Sequence, residues 1–166
     1  MRPLLLTLCC LLTYPALAQV AKPRVFKVNS ASAFNKLMSG LDDDQLFRTY
    51  RADLKLIRVT RNRHEPGVRD SLLQVKTPAD KLVLFKNRYK TLLRGATITS
   101  TRVSFAGLRV GATQDAFCRT MHLKPGYDQY VFADGMENFV QLTFTFSSGK
   151  LRRVEYEELI NMDAID

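Results

Sequence analysis

The chain has 166 residues, 46% of them apolar and 25% charged, which is the length of one ordinary domain with enough apolar material to bury a core. Its 25 Lys+Arg against 16 Asp+Glu give a net charge of +9, so acidic partners and surfaces are favoured. Of its three cysteines, two lie in the first ten residues; once that segment is removed Cys118 has no intramolecular partner, which excludes a disulfide scaffold.

Met1-Arg-Pro leads into a short apolar run from Leu4 to Leu12, and Ala16-Leu17-Ala18 before Gln19 has the small-x-small pattern of a signal peptidase site. The run is too short to span a bilayer. Residues 1–18 therefore read as a cleaved signal peptide and 19–166 as a single secreted or periplasmic domain without an integral membrane span. Leu8 stands before Cys9 where a lipidation signal has a small residue, so no lipid anchor is expected. Losing Arg2 leaves 24 basic against 16 acidic residues, a charge of +8. For an exported chain this points to envelope proteins, anionic polymers or anionic surfaces as partners, and not to nucleic acid.

Val25 to Val28 alternates briefly, as an edge strand does. Asn29 and Ser30 then cap a helix whose Phe34, Leu37 and Met38 share a face and which ends at Gly40. Asp42-Asp-Asp44 opens a second helix, where carboxylates complement the dipole, and Leu46, Phe47, Tyr50 and Leu54 follow at helical spacing. Past Ala52 two parities compete, Leu54 and Leu56 against Ile57 and Val59, which predicts a strand with a bulge or twist. His64-Glu-Pro-Gly67 is a turn, Leu72 to Val75 a strand, Thr77-Pro-Ala-Asp80 another turn, and Leu82 to Tyr89 a further strand. Leu92 to Phe105 reads as one long strand bent or bulged at Gly95, with Ile98 and Val103 inward.

Thr113, just after Gly111, is placed to cap a helix carrying Ala116, Phe117, Thr120 and Met121 on one face, stopped by Pro125-Gly126. A helix of two to three turns is marginal alone, so it must lean on a sheet. Tyr127 to Ala133 and Val140 to Phe146 supply strands; in the latter Val140, Leu142, Phe144 and Phe146 alternate with polar residues. The return through Ser147-Ser-Gly149 has to choose a register. Pairing Leu142 with Val154 and Val140 with Tyr156 keeps the apolar faces together, and it predicts a three-residue loop with Gly149 left-handed, followed by a bulge. The fold class is thus α+β, an antiparallel sheet with short helices packed on one face, and the shared order of helix then strands allows two pseudo-repeated αβ units at about 24–95 and 96–166.

The order Leu108-x-Val110-Gly111-x-Thr113, a helix with Phe117, then Leu142-Thr-Phe144-Thr-Phe146-Ser-Ser-Gly149-Lys150-Leu151 resembles small exported proteins of the SmpA/OmlA type and of the β-lactamase-inhibitor-like fold. That resemblance implies an envelope protein that works by contacting other proteins, and it brings no catalytic residues. The chain departs from the barrel-assembly lipoproteins of that type in lacking a lipobox.

Enzymatic motifs are absent from the sequence: there is no HExxH, CxxC, GxSxG, GxxxxGK[ST] or GxGxxG, and it has only two histidines. A zinc site needs about four matched ligands, and His64, His122 and Cys118 offer fewer. The expectation is a non-enzymatic protein with no metal and no cofactor. Cys118 and His122, four apart on a helix, leave an alternative open, either a thiol ionised by the imidazole or a structural cysteine beside the Phe117/Met121 stripe. A binding surface is the better-supported reading. Phe139, Gln141, Thr143 and Thr145 alternate outward and are joined by Arg153 and Glu155, a composition found at protein interfaces. Lys86, Arg88 and Tyr89 are a second candidate, for polyanions, or simply a guarded sheet edge.

Overall fold

The computed structural model describes residues 22–134 and 140–159. The expected signal peptide at 1–18 and the candidate site residue Phe139 lie outside the described residues. Among those, eight strands form one sheet in the order β1-β6-β7-β8-β5-β4-β3-β2. The strands are β1 (Val25–Asn29), β2 (Leu54–Arg61), β3 (Arg69–Lys76), β4 (Asp80–Lys86), β5 (Thr91–Ile98), β6 (Gln129–Ala133), β7 (Val140–Ser147) and β8 (Lys150–Glu158). Every neighbouring pair is antiparallel except β1 with β6. Three α-helices, α1 (Ala31–Met38), α2 (Asp43–Thr49) and α3 (Gln114–Met121), with a single 3-10 turn at Ser39–Leu41 between the first two, complete the layer.

The registers gather the fully buried apolar residues of the inner strands on one side. Phe132, Leu142, Tyr156, Ala96, Leu82 and Val75 face one another in a single row across six strands. Phe34 and Leu37 of α1, Leu46 of α2 and Phe117 of α3 join the same buried cluster, so all three helices cover that side and one core spans both halves of the chain. The fold is sheet-dominated α+β, as expected. Strands β2–β5 and β6–β8 each form a meander led by helices, whereas β1 leaves that order and pairs in parallel with β6.

Caps fall where the sequence puts them. Ser30 accepts from the Ala33 amide, Asp42 from Gln45 and Thr113 from Ala116. Three of the sequence expectations need correction. β5 ends at Ile98 and does not run to Phe105: the Thr99 amide is shared between Ala79 O, at 3.1 Å, and Asp80 Oδ1, at 2.9 Å, and the Ser100 amide turns to Asp80 Oδ1, at 3.0 Å, so the ladder stops there. The β7–β8 loop has two residues, with Ser148 (φ 52°) and Gly149 (φ 68°) both left-handed, as a twisted hairpin requires. Leu142 therefore pairs with Tyr156 and Phe144 with Val154, and the extra residue is taken up by a bulge farther along, between Phe146↔Leu151 and Thr145↔Arg153. The third concerns α3, which stops at Met121 because His122 takes a left-handed cap (φ 55°), ahead of Pro125-Gly126.

The start of α3 and the tip of the hairpin are bonded directly. Gly111 donates to Leu151 O, Leu151 to Ala112 O and Gln114 to Gly149 O, each at 2.8 Å. Phe117 then lies 5.0 Å from Phe144, 5.2 Å from Phe146 and 5.3 Å from Tyr130, centroid to centroid. Aromatic pairs at such distances add about 0.5–1.5 kcal/mol each beyond their burial.

Candidate functional site

With the helices on one side, the other side of the sheet is uncovered by any described element. Gln141, Thr143 and Thr145 alternate with the inward Leu142 and Phe144, and Arg153 sits opposite Thr145, so these four of the expected site residues share one half-exposed surface. Arg153 Nε is 3.1 Å from Glu155 Oε2, which leaves this part of the face with little net charge. Gln141 donates to Thr143 Oγ1 and Gln129 to Thr145 Oγ1, so the amide and hydroxyl groups are already aligned along the strands. The register extends the surface from Lys27 through Val131, Thr143, Glu155 and Thr97 to Lys81. Toward β3 and β4 it becomes apolar, with Leu72, Phe85 and Leu92 side by side.

A basic corner adjoins that apolar end. Arg58, Thr60, Arg61, Asn62, Arg63 and His64 line a cleft of about 590 Å³ together with Asp70, Leu72 and Phe85. Its two loops are pinned by one carboxylate, since Asn62 Nδ2 donates to both Asp70 oxygens at 3.0 and 3.2 Å and Asn87 Nδ2 to one of them at 3.1 Å. Each asparagine also accepts from its own loop, Asn62 from His64 and Glu65 and Asn87 from Tyr89 and Lys90. Sequence reasoning passed over this corner, although the signal is present: Lys55 to Arg63 carries four cations and no carboxylate. Lys86, grouped with Arg88 and Tyr89 in the sequence reading, is separated from them. Its ammonium lies 4.4 Å from the Phe47 ring and donates to Thr91 Oγ1, on the helix side.

Cys118 and His122 border one shallow depression, with Asp115, Arg119, Leu123 and Pro125. His122 has left the helix to cap it, so the four-residue spacing no longer stacks the two side chains. Cys118 is 3% exposed, and its thiol is directed at Tyr130 Oη, 3.2 Å away, while that phenol donates to Lys124 O. Burial pushes the thiol pKa up, away from the thiolate that nucleophilic or ligand chemistry needs. Among the described residues no three His, Cys, Asp or Glu side chains gather as metal ligands. No described helix is long and apolar enough to cross a membrane.

The most concentrated polar network is buried and structural. Asp80, 1% exposed, accepts from Tyr50 Oη (2.8 Å), Ser100 Oγ (2.6 Å) and the Thr99 and Ser100 amides. Burial alone would raise its pKa, but these donors outweigh that and hold it below 3.8. Arg102 closes the assembly from outside, over the Tyr50 ring at 4.4 Å and paired with Asp53 at 2.6 Å. Every acceptor site of that carboxylate is occupied from within the protein.

The chain matches no family model, no curated protein and no solved structure. Its surface and its chemistry therefore carry the functional reading.

Proposed function

We propose that this chain is an exported, non-enzymatic component of a cell envelope that binds a partner protein through the uncovered face of its sheet. The supporting observation is the one-sidedness of the fold: α1, α2 and α3 all join the core from the same side, while Gln141, Thr143, Thr145 and Arg153 lie together on the other. A half-exposed, polar, nearly neutral surface with an apolar end has the composition of a protein interface. The leader pattern at 1–18 supports export, and the resemblance to SmpA/OmlA-type proteins supports an envelope partner. In the same reading the chain is two αβ units, about 24–95 and 96–166, whose meanders each supply half of the face.

The test is photo-crosslinking in the exporting cell from position 143, with position 44, exposed on α2, as the control. The reading expects a discrete protein adduct from 143 alone. No adduct, or the same adducts from both positions, would refute it. The basic corner favours a second reading, an anionic cell-wall polymer or lipid surface as ligand. In that case retention on envelope fractions collapses as salt rises, without any protein adduct.

A further inference from the structure

The outer edge of β2 is unlike the rest of the surface. The sheet order leaves β2 paired with β3 alone among the described strands, and seven of its eight residues are exposed. Leu56, Ile57 and Val59 are 60%, 50% and 45% exposed. Its cations, Lys55, Arg58 and Arg61, and its bulge at Ile57 are the usual guards of a free edge. Guarding accounts for the charges and the bulge. It leaves unexplained why large aliphatics stay uncovered between them, and why the strand runs into a cleft whose loops are pinned open by Asp70.

The registers sort the strand into two sides. Leu56 and Val59 face the helix side, opposite Leu73 and Ser71, while Lys55 and Arg58 face the other, opposite Gln74 and Leu72. A strand laid along Leu54 to Val59 meets Lys55 and Arg58 on one side and Leu56 and Val59 on the other, with Arg61 following on the aliphatic side at the strand end, which is the complement of an alternating acidic and apolar sequence. A second copy is a poor fit: β2 contains no Asp or Glu, so self-pairing about a twofold axis sets cation against cation.

We propose that β2 is a docking edge for an extended acidic segment of a partner protein, which adds to the sheet beside Leu54–Arg61, setting carboxylates against Lys55 and Arg58 and apolar side chains against Leu56 and Val59. This surface is separate from the β7–β8 face, so each can fail without the other.

The probe is a labelled peptide of alternating valine and glutamate, titrated into the protein by anisotropy and followed by amide hydrogen exchange. Binding should protect amides of residues 54–61, weaken with salt, and fall tenfold or more in Arg58→Glu and in Leu56→Lys. Both sites are exposed, and thermal unfolding checks that each variant remains folded. Thr143→Asp, on the sheet face, should bind the peptide like the native chain. The backbone-methylated peptide keeps its charge but cannot form the ladder, so it should not bind. Equal binding of the methylated peptide, with competition by inorganic phosphate, would overturn the proposal in favour of a simple anion site at the cleft. Protection of 54–61 that grows with protein concentration and needs no peptide would overturn it in favour of a second copy, and absence of protection would end it.

Discussion

Asp80 shows how much one side chain can organise. Its carboxylate collects the end of α2 through the buried Tyr50 and the exit from β5 through Thr99 and Ser100. Hydrogen bonds to a charged group are worth about 1.5–3 kcal/mol each, and orphaned donors carry a further penalty. Asp80→Ala should therefore lower the unfolding free energy by about 3 kcal/mol or more, with Asp80→Asn intermediate, measured by urea denaturation. The pH dependence follows from the depressed carboxyl. Its contribution is complete above the unfolded value of 3.8 and is lost as pH falls through the lower folded value, so Asp80→Asn should flatten the acid limb of the stability curve. Asp43 acts in the opposite sense, because burial lifts its pKa and protonation relieves that cost. For Cys118 the expected result is silence: a thiol reagent at neutral pH leaves the folded protein unlabelled and reacts only after denaturation, whereas rapid native labelling would restore the thiol-enzyme alternative. The sequence shows Asp80 only as a turn residue, because its donors come from 30 and 20 positions away.

The elements were legible wherever a periodicity or a cap was local. Alternation from Val140 to Phe146 gave β7 and its inward face, and Ser30, Asp42 and Thr113 gave three helix starts. Two parities in conflict after Leu54 marked the bulge found at Ile57. Register was not legible, since a two-residue loop plus a displaced bulge keeps the same apolar faces together as a three-residue loop with the bulge at its end; only the backbone separates them. Phe117, fully buried against four aromatic rings, ties α3 to β6 and β7. Phe117→Ala should cost about 3–5 kcal/mol in denaturant unfolding. Thr113→Ala, which removes the cap bonded to Ala116, should cost about 1 kcal/mol. If the smaller change proved the costlier, the helix would owe its order to its own backbone and not to the aromatic cluster beneath it.

At the scale of the whole molecule, the fold class and the one-sided placement of helices follow from amphipathic helices meeting an alternating sheet. The sequence could not reveal that β1, five residues near the start, lies beside β6 a hundred positions later. Phe26 and Val28 are partly buried against the core from that position, and Phe26 lies 4.8 Å from the Tyr127 ring. Deleting residues 22–29 should therefore destabilise the domain by about 3 kcal/mol. It should also bare the edge of β6, seen as concentration-dependent association in sedimentation.

That parallel pairing also sets a timetable. A ribosome making the chain in order releases β1 long before Gln129–Ala133 exists to receive it. The first of the described strands to be made is thus among the last to be seated. Closure over so long a loop slows folding, so the β1 edge of the sheet stays open longest and is the last part of the core to be sealed.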